Sequence, residues 1–312
     1  MDEERQLYPF RLCTIEDKYA WGSEEFKLAD LGYRDTLIRD GFLAGNSISE
    51  VMDMYMDAVV GEKVFGWLGR QFPLQLKYLR IDGRYPFMVH PSDEVASQRY
   101  DLLGKQKCWR VLEASEDARL YLGFREDTDA AALCDACAAG TLTELMNVVK
   151  PVPGDMFDIA PGTVHGASGH LVILEVSESS ALDFLVWHWG DVADPGQFEE
   201  SLDLVSALDF IDYRKYTQPS DRVFSVDVLH LDEPLDFSSD RFDAFTLFSC
   251  LRGSAAVRDL GQEGGEAHVF HAGEAVLVPA DCTSYTLVPA AADTIVLEIH
   301  AIVPDFSELP MK

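Results

Sequence analysis

The sequence predicts a mainly β protein built from two barrel- or sandwich-like domains with few helices. Three observations carry that expectation. Short apolar runs rich in β-branched and aromatic residues recur between turn residues, helical periodicity is confined to a few places, and one turn-strand-turn pattern occurs twice. Material for a packed interior is present, since 47% of the 312 residues are hydrophobic and 25% are charged. With 25 Lys+Arg against 54 Asp+Glu, the formal net charge is −29, which disfavours nucleic acid or an anionic membrane as a partner. The six Cys are irregularly spaced and show neither a disulfide framework nor paired zinc-finger motifs, so a reducing compartment fits. The start MDEERQLYPF has no basic segment followed by an apolar stretch, and no membrane-length apolar run occurs, so a cytoplasmic location is expected.

The elements follow in order. Ser47 and Glu50 have the spacing of a capping box ahead of Val51, Met54, Tyr55 and Ala58, which predicts a helix near 48–60. FPLQLKYLR, YPFMVH, KCWRVLEA and ARLYLGF read as strands. Over about 128–147, Thr128 can cap an Ala-rich helix that Gly140 ends, and Thr141 with Glu144 can open a second short helix. Cys134 and Cys137 fall in this stretch without a second pair, so their spacing reads as helix packing. DMFDIA, HLVILEVS and DFLVWHW complete the first strand series. Residues 191–221, with Pro195, Gly196, Pro219 and the helix-compatible FEESLDLVSALDFI, read as a connecting segment. A second strand series follows in VFSVDVLHL, AFTLFSCLRG, AHVFHAGEAVLVPA, SYTLVP and DTIVLEIHAIV. The expected domains are therefore 1–190, with the helical insertion, and a smaller one over 222–312.

The repeated pattern runs from Gly154-Asp155 to Pro161 and again from Gly273-Glu274 to Pro279: a glycine and an acid, an apolar strand, then proline. Glycine can supply a positive φ at the turn and proline can end the strand. This pattern resembles the recurring turn of cupin barrels. The first copy continues to His165, whereas the second has Thr283 to Tyr285 at that place, so chemistry is expected in the first domain.

Candidates for that chemistry are Lys77, His90, Lys105, Lys107, His165, His170, Glu175 and His188. Side chains two apart on a strand share a face, which pairs Met88 with His90, Lys105 with Lys107, and Glu175 with Ser177. His90, His165 and an inward carboxylate could hold a divalent metal. His230, His268, His271 and His300 read as structural. Trp187 and Trp189 share a face with Leu185 and are expected in the barrel or at its mouth. Residues 70–110 hold eight basic and four acidic residues, a local positive excess suited to an anionic ligand.

The stretches FPLQLKYLRIDGRYPFMVHPSDEVA, GKQKCWRVLEA, YLGFREDTDAAALCDACAAGTLTELMNVV and VPGDMFDIAPGTVHGASGHLVILEVSESSALDFLVWHWG, with Trp21-Gly22 before them, carry a wider resemblance. In order and spacing they resemble the short bacterial form of class I mannose-6-phosphate isomerases, zinc-dependent cupins. The resemblance runs over nearly the whole chain. It implies two cupin-type β-barrel (jelly-roll) domains, zinc as cofactor, and a sugar phosphate as ligand. It also implies isomerisation of mannose 6-phosphate to fructose 6-phosphate through an enediol.

Residue by residue, the resemblance makes His90 and His165 metal ligands and Lys77, Lys105 and Glu175 catalytic. Lys77 and Lys105, with Lys107, are expected to bind substrate. Three positions depart from the family pattern: its metal-ligating Gln is Met88, its metal-ligating Glu is Lys107, and its Arg ten residues after the acid is Leu185. His170, Glu175 and His188 are the possible substitute donors. Lys107 is expected to fill the space of the metal and pair with Glu175, with both His as neighbours. The alternative to an isomerase is a catalytically silent cupin that binds a sugar phosphate or serves a structural role.

Overall fold

Apolar runs fold as strands where neighbouring strands satisfy their backbone amides and carbonyls. The computed structural model describes residues 6–190, 204–220, 222–238, 244–261 and 266–302. The first elements are β1 (Phe10–Arg11), β2 (Ile15–Tyr19), β3 (Gly22–Leu28), α1 (Ile48–Tyr55), α2 (Asp57–Val60) and α3 (Glu62–Leu68). Next come β4 (Leu74–Val89), α4 (Asp93–Tyr100), β5 (Lys107–Ala114), β6 (Arg119–Phe124) and α5 (Ala130–Ala139). They lead to β7 (Met146–Val149), β8 (Met156–Ile159), β9 (His165–Glu178), β10 (Phe184–Trp187) and α6 (Leu204–Ala207). The remainder is β11 (Phe224–Leu231), β12 (Leu235–Ser238), β13 (Thr246–Arg252), β14 (Ser254–Asp259), β15 (Ala267–His271), β16 (Ala275–Val278), β17 (Ser284–Pro289) and β18 (Thr294–Ala301). The mainly β class expected from the sequence is the one that forms.

The chain forms two compact units, both discontinuous in sequence. One comprises Met1–Thr14, Lys27–Leu74 and Arg222–Lys312, the other Ile15–Phe26 and Gln75–Asp221. This division replaces the continuous domain expected over 1–190. Residues 27–74 go with the C-terminal strands because α2 docks on them through its backbone: the carbonyls of Ala58 and Val59 accept from the amides of Asp281 and Ala280 at 2.9 and 3.0 Å. The segment expected to connect domains over 191–221 is, in its described part, packed into the second unit. Ala207 and Ile211 are buried in that unit's interior, since a run this apolar gains more from burial than from solvent.

In the first unit a five-stranded sheet, β1-β16-β13-β18-β11, accompanies a four-stranded one, β12-β17-β14-β15. Leu231, Phe248, Val257, Phe270, Val276, Leu287 and Val296 fill its core. The second unit has a nine-stranded sheet with the path β2-β3-β4-β9-β5-β8; β10 joins at β4, β6 at β9, and β7 at β6. Alternation along β4 divides its side chains between two cores. Met88 joins Trp21, Leu79, Trp109, Val111 and Ile173, while Phe87 and Val89 join Tyr121, Phe124, Leu133 and Phe184.

Local expectations mostly hold, with informative exceptions. The Ser47/Glu50 capping box forms, but the helix near 48–60 breaks at Met56, where φ is 47°, into α1 and α2. FPLQLKYLR and YPFMVH form one strand, β4, instead of two. Asp129, not Thr128, caps α5 by accepting from the Ala132 amide at 2.9 Å, and Gly140 ends it in the left-handed region. The second helix of that insertion is only a 3-10 turn, Leu142–Glu144, without a side-chain cap from Thr141. Of the helix-compatible 198–211 stretch, α6 covers Leu204–Ala207, and 198–203 lies outside the described residues. Both repeat glycines have positive φ, 100° at Gly154 and 84° at Gly273. All six Cys are free. Among the described residues no helix is long and apolar enough to cross a membrane.

Candidate active site

The site is built on the inner face of the second unit's sheet. β5 and β9 pair antiparallel with Lys107 opposite Ser177 and Trp109 opposite Glu175, so Lys107, Trp109, Glu175 and Ser177 share one face. His90 follows β4 and His165 opens β9. A turn at Gly162 ties them together: its amide donates to the His90 carbonyl at 2.8 Å. Gly162 has φ 79°, and a Cβ there would lie 2.7 Å from the Phe210 carbonyl oxygen, so only glycine makes this turn without strain.

Three buried lysines converge there. Lys107 Nζ lies 3.3 Å from Glu175 Oε2, Lys77 Nζ lies 3.4 Å from Glu175 Oε1 and 3.1 Å from Glu24 Oε1, and Lys105 Nζ lies 2.9 Å from Asp183 Oδ1. The indole N–H of Trp109 donates to Glu175 Oε2 at 2.5 Å. Lys107 and Glu175 are each 1% exposed. Three ammoniums thus face three carboxylates, and the cluster is neutral as built. Burial favours a protonated Glu175, but Lys107, Lys77 and the Trp109 N–H outweigh it and hold the carboxyl down at about 2. Burial pulls the Lys107 ammonium down to about 8, with Glu175 opposing and Lys77 and Lys105 reinforcing the drop. Lys77 is also penalised by burial, yet Glu175 and Glu24 raise it well above the ordinary lysine value.

The two imidazoles complete the site. His90 Nδ1 donates to the Leu182 carbonyl at 2.9 Å and lies 3.1 Å from Asp183 Oδ1, and His165 Nδ1 donates to the Thr163 carbonyl at 2.9 Å. Each Nδ1 meets only oxygen acceptors, so the proton sits on Nδ1 and Nε2 carries the lone pair. Both Nε2 atoms are buried and without a hydrogen-bond partner. The rings lie 5.0 Å apart, and Trp109 meets His165 edge-on at 5.4 Å. Burial and the Lys107 charge keep both rings neutral, His165 falling to about 3 and His90 well below its ordinary value.

The structure therefore brings together Lys77, His90, Lys105, Lys107, His165 and Glu175. It does not bring in the other proposed donors. His170 is exposed on β9, 3.9 Å from Asp82, and His188 joins no metal-type cluster: among the described residues no group of three or more His, Cys, Asp or Glu could hold a metal ion. Glu175 cannot substitute, because both its oxygens are engaged by cations. Met88 packs in the apolar core with Leu185, its direct cross-strand neighbour. Tested against zinc, the site offers two imidazole lone pairs and then an ammonium where a third donor is needed, a set that does not fit a tetrahedral dication.

Two further expectations are corrected. Trp187 and Trp189 do not share a face with Leu185. The pairing of β10 with β4 shifts between Leu185 and Trp187, and this bulge turns both indoles to the opposite core, against Phe87 at 5.7 and 5.1 Å. The basic excess over 70–110 is largely neutralised by acids outside that window, with Arg80 bonded to Glu25 and Arg99 to Asp209. Glu24, Asp183 and Trp109 were missed from sequence. Charge balance is the signal that could have found the acids, since buried lysines require carboxylate partners.

No protein-family model matches the chain. A mannose-6-phosphate isomerase of Bacillus subtilis is 28% identical over 179 residues, covering 57% of this chain and 54% of its own length. One of Streptococcus mutans is 30% identical over 140 residues, covering 43% and 44%. The chain thus spans about half the length of the curated relatives it matches. Among solved structures, the mannose 6-phosphate isomerase of Bacillus subtilis superposes with a TM-score of 0.79 at 18% identity, over 94% of this chain and 100% of that one. A variant of phosphomannose isomerase from Salmonella typhimurium gives 0.72 at 14% identity, over 95% and 100%. The fold is that of the phosphomannose isomerases, a cupin-type architecture, and the family resemblance read from the motifs is supported by sequence as well as fold.

Proposed function

We propose that the chain interconverts the aldose and ketose forms of a sugar phosphate, mannose 6-phosphate and fructose 6-phosphate, in the buried cluster of the second unit. One observation carries this reading: two neutral imidazoles present bare Nε2 lone pairs beside the Lys107 ammonium. Moving a proton between C1 and C2 through an enediol needs an acceptor for the proton and positive charge for the oxygen that becomes anionic. His90 or His165 supplies the acceptor, and Lys107, Lys77 and Lys105 supply the charge. Glu175, held ionised by its neighbours, fixes Lys77 and Lys107 in place, and Asp183 does the same for Lys105 and His90. The relatives named above support the choice of substrate, and six free thiols accord with a cytosolic setting.

The test is conversion of mannose 6-phosphate to fructose 6-phosphate by the purified chain, with His90→Ala and His165→Ala beside it. Turnover that falls in both variants supports the proposal. Absence of turnover, with folded protein and saturating substrate, refutes it and favours the silent cupin.

A further inference from the structure

The resemblance implies zinc, and the residues present do not accommodate it. We infer that Lys107 is itself the cation of this site: its ammonium, paired with Glu175, supplies the positive charge that a divalent metal held by His90 and His165 would have supplied, so the chain handles its ligand without metal. The inference rests on the proposed function only for the identity of that ligand.

Three observations support it. Lys107 is 1% exposed, its Nζ lies 3.3 Å from Glu175 Oε2, and it shares one face of the sheet with Trp109, Glu175 and Ser177. Second, the cluster is already neutral, with Lys77, Lys105 and Lys107 facing Glu24, Glu175 and Asp183. A dication added to it would leave two uncompensated charges away from water, which the protein could offset only by losing protons from its lysines. Third, Met88 and Leu185 are directly opposed on β4 and β10 and both pack in the apolar core. The resemblance expects Gln and Arg at these two positions. The wall that would have carried an oxygen donor and a guanidinium has become hydrophobic at both places together, independently of residue 107. An ammonium cannot coordinate, but it can donate hydrogen bonds to a sugar carbonyl oxygen and favour the negative charge that develops there.

The test is metal binding by the full chain. Protein purified without chelator is expected to carry under ~0.1 zinc per chain, and titration with zinc is expected to show no binding that depends on His165. The variant Met88→Gln with Lys107→Glu restores two donors and is expected to bind one zinc at least ~100-fold more tightly than the parent chain. Stoichiometric zinc in the parent chain, lost in His165→Ala, overturns the inference, and that result stands even if the double variant does not fold. Isomerase turnover separates this inference from the proposed function. Turnover unaffected by EDTA supports both, and turnover abolished by EDTA and restored by zinc overturns the inference alone. Folded protein with neither zinc nor turnover overturns the proposed function alone.

Discussion

Replacing Glu175 with Gln keeps the side chain's shape and removes its charge, leaving Lys107 and Lys77 without the carboxylate that lies 3.3 and 3.4 Å away. Gln imitates the protonated acid, so the cost follows from how strongly the site prefers the ionised form. Depression of Glu175 from 4.5 to about 2 corresponds to about 3 kcal/mol. Removing one partner of a buried ion pair costs about 3–5 kcal/mol in general, which agrees. The direction with pH is fixed by the sign of the shift. A carboxyl whose folded value lies below its unfolded one stabilises the protein above the unfolded value and loses that contribution as the pH falls toward the folded one. The difference between parent and Glu175→Gln should therefore be about 3 kcal/mol at pH 7 and shrink to less than half of that by pH 3. Urea unfolding followed by tryptophan fluorescence, at each pH and with unchanged slope, measures it. A difference below about 0.5 kcal/mol at pH 7, or one that does not shrink on acidification, refutes the reasoning.

Other perturbations follow from the same geometry. Lys107 is lowered from 10.5 to about 8, so the cost of its buried charge is fully present below about 8 and is relieved as the pH rises toward 10.5. The parent should gain about 2 kcal/mol relative to Lys107→Met between pH 7 and 9.5, read from urea midpoints. Gly162→Ala forces an L residue to φ 79° against the Phe210 carbonyl. It should lower stability by about 1–3 kcal/mol and shift the imidazole resonances of both His90 and His165 in NMR spectra of histidine-labelled protein. Leu185→Arg places a guanidinium on the half-buried Leu185 position beside Met88 and should lower the thermal midpoint by ~5 °C, while combining it with Met88→Gln should recover part of that loss. Strict additivity of the two would argue against their direct pairing.

The strands bounded by sharp composition changes were the most legible. KCWRVLEA became β5 residue for residue, and the two glycine turns of the repeat adopted the positive φ their pattern implied. Asp82-Gly83-Arg84 has turn composition between the two expected strands, yet β4 runs through it with these residues exposed. Tertiary pairing overrode local preference there. Period-two counting puts Trp187 and Trp189 on the face of Leu185 because it carries no information about a bulge. The lysine, histidine and glutamate positions that converge in the cluster came from the motifs that carry the family resemblance. Glu24 and Asp183 were not, because they come from β3 and a loop whose sequences carry no mark of proximity to Lys77 and Lys105. The division of the first 74 residues between two units was likewise hidden, since the partners of β1 and α2 lie more than two hundred residues downstream.

That long-range pairing has a consequence for synthesis. Phe10 of β1 aligns with Leu277 of β16, so the five-stranded sheet is incomplete until nearly all of the chain has left the ribosome. The other unit needs nothing beyond Asp221 and can close while its companion still waits for its C-terminal strands. Loop-closure entropy makes such distant joins slow, which leaves α1 to α3 and their apolar surfaces without their partners during that interval. A nascent chain arrested near residue 260 should therefore bind chaperones through residues 27–74 while residues 15–26 and 75–221 already resist protease.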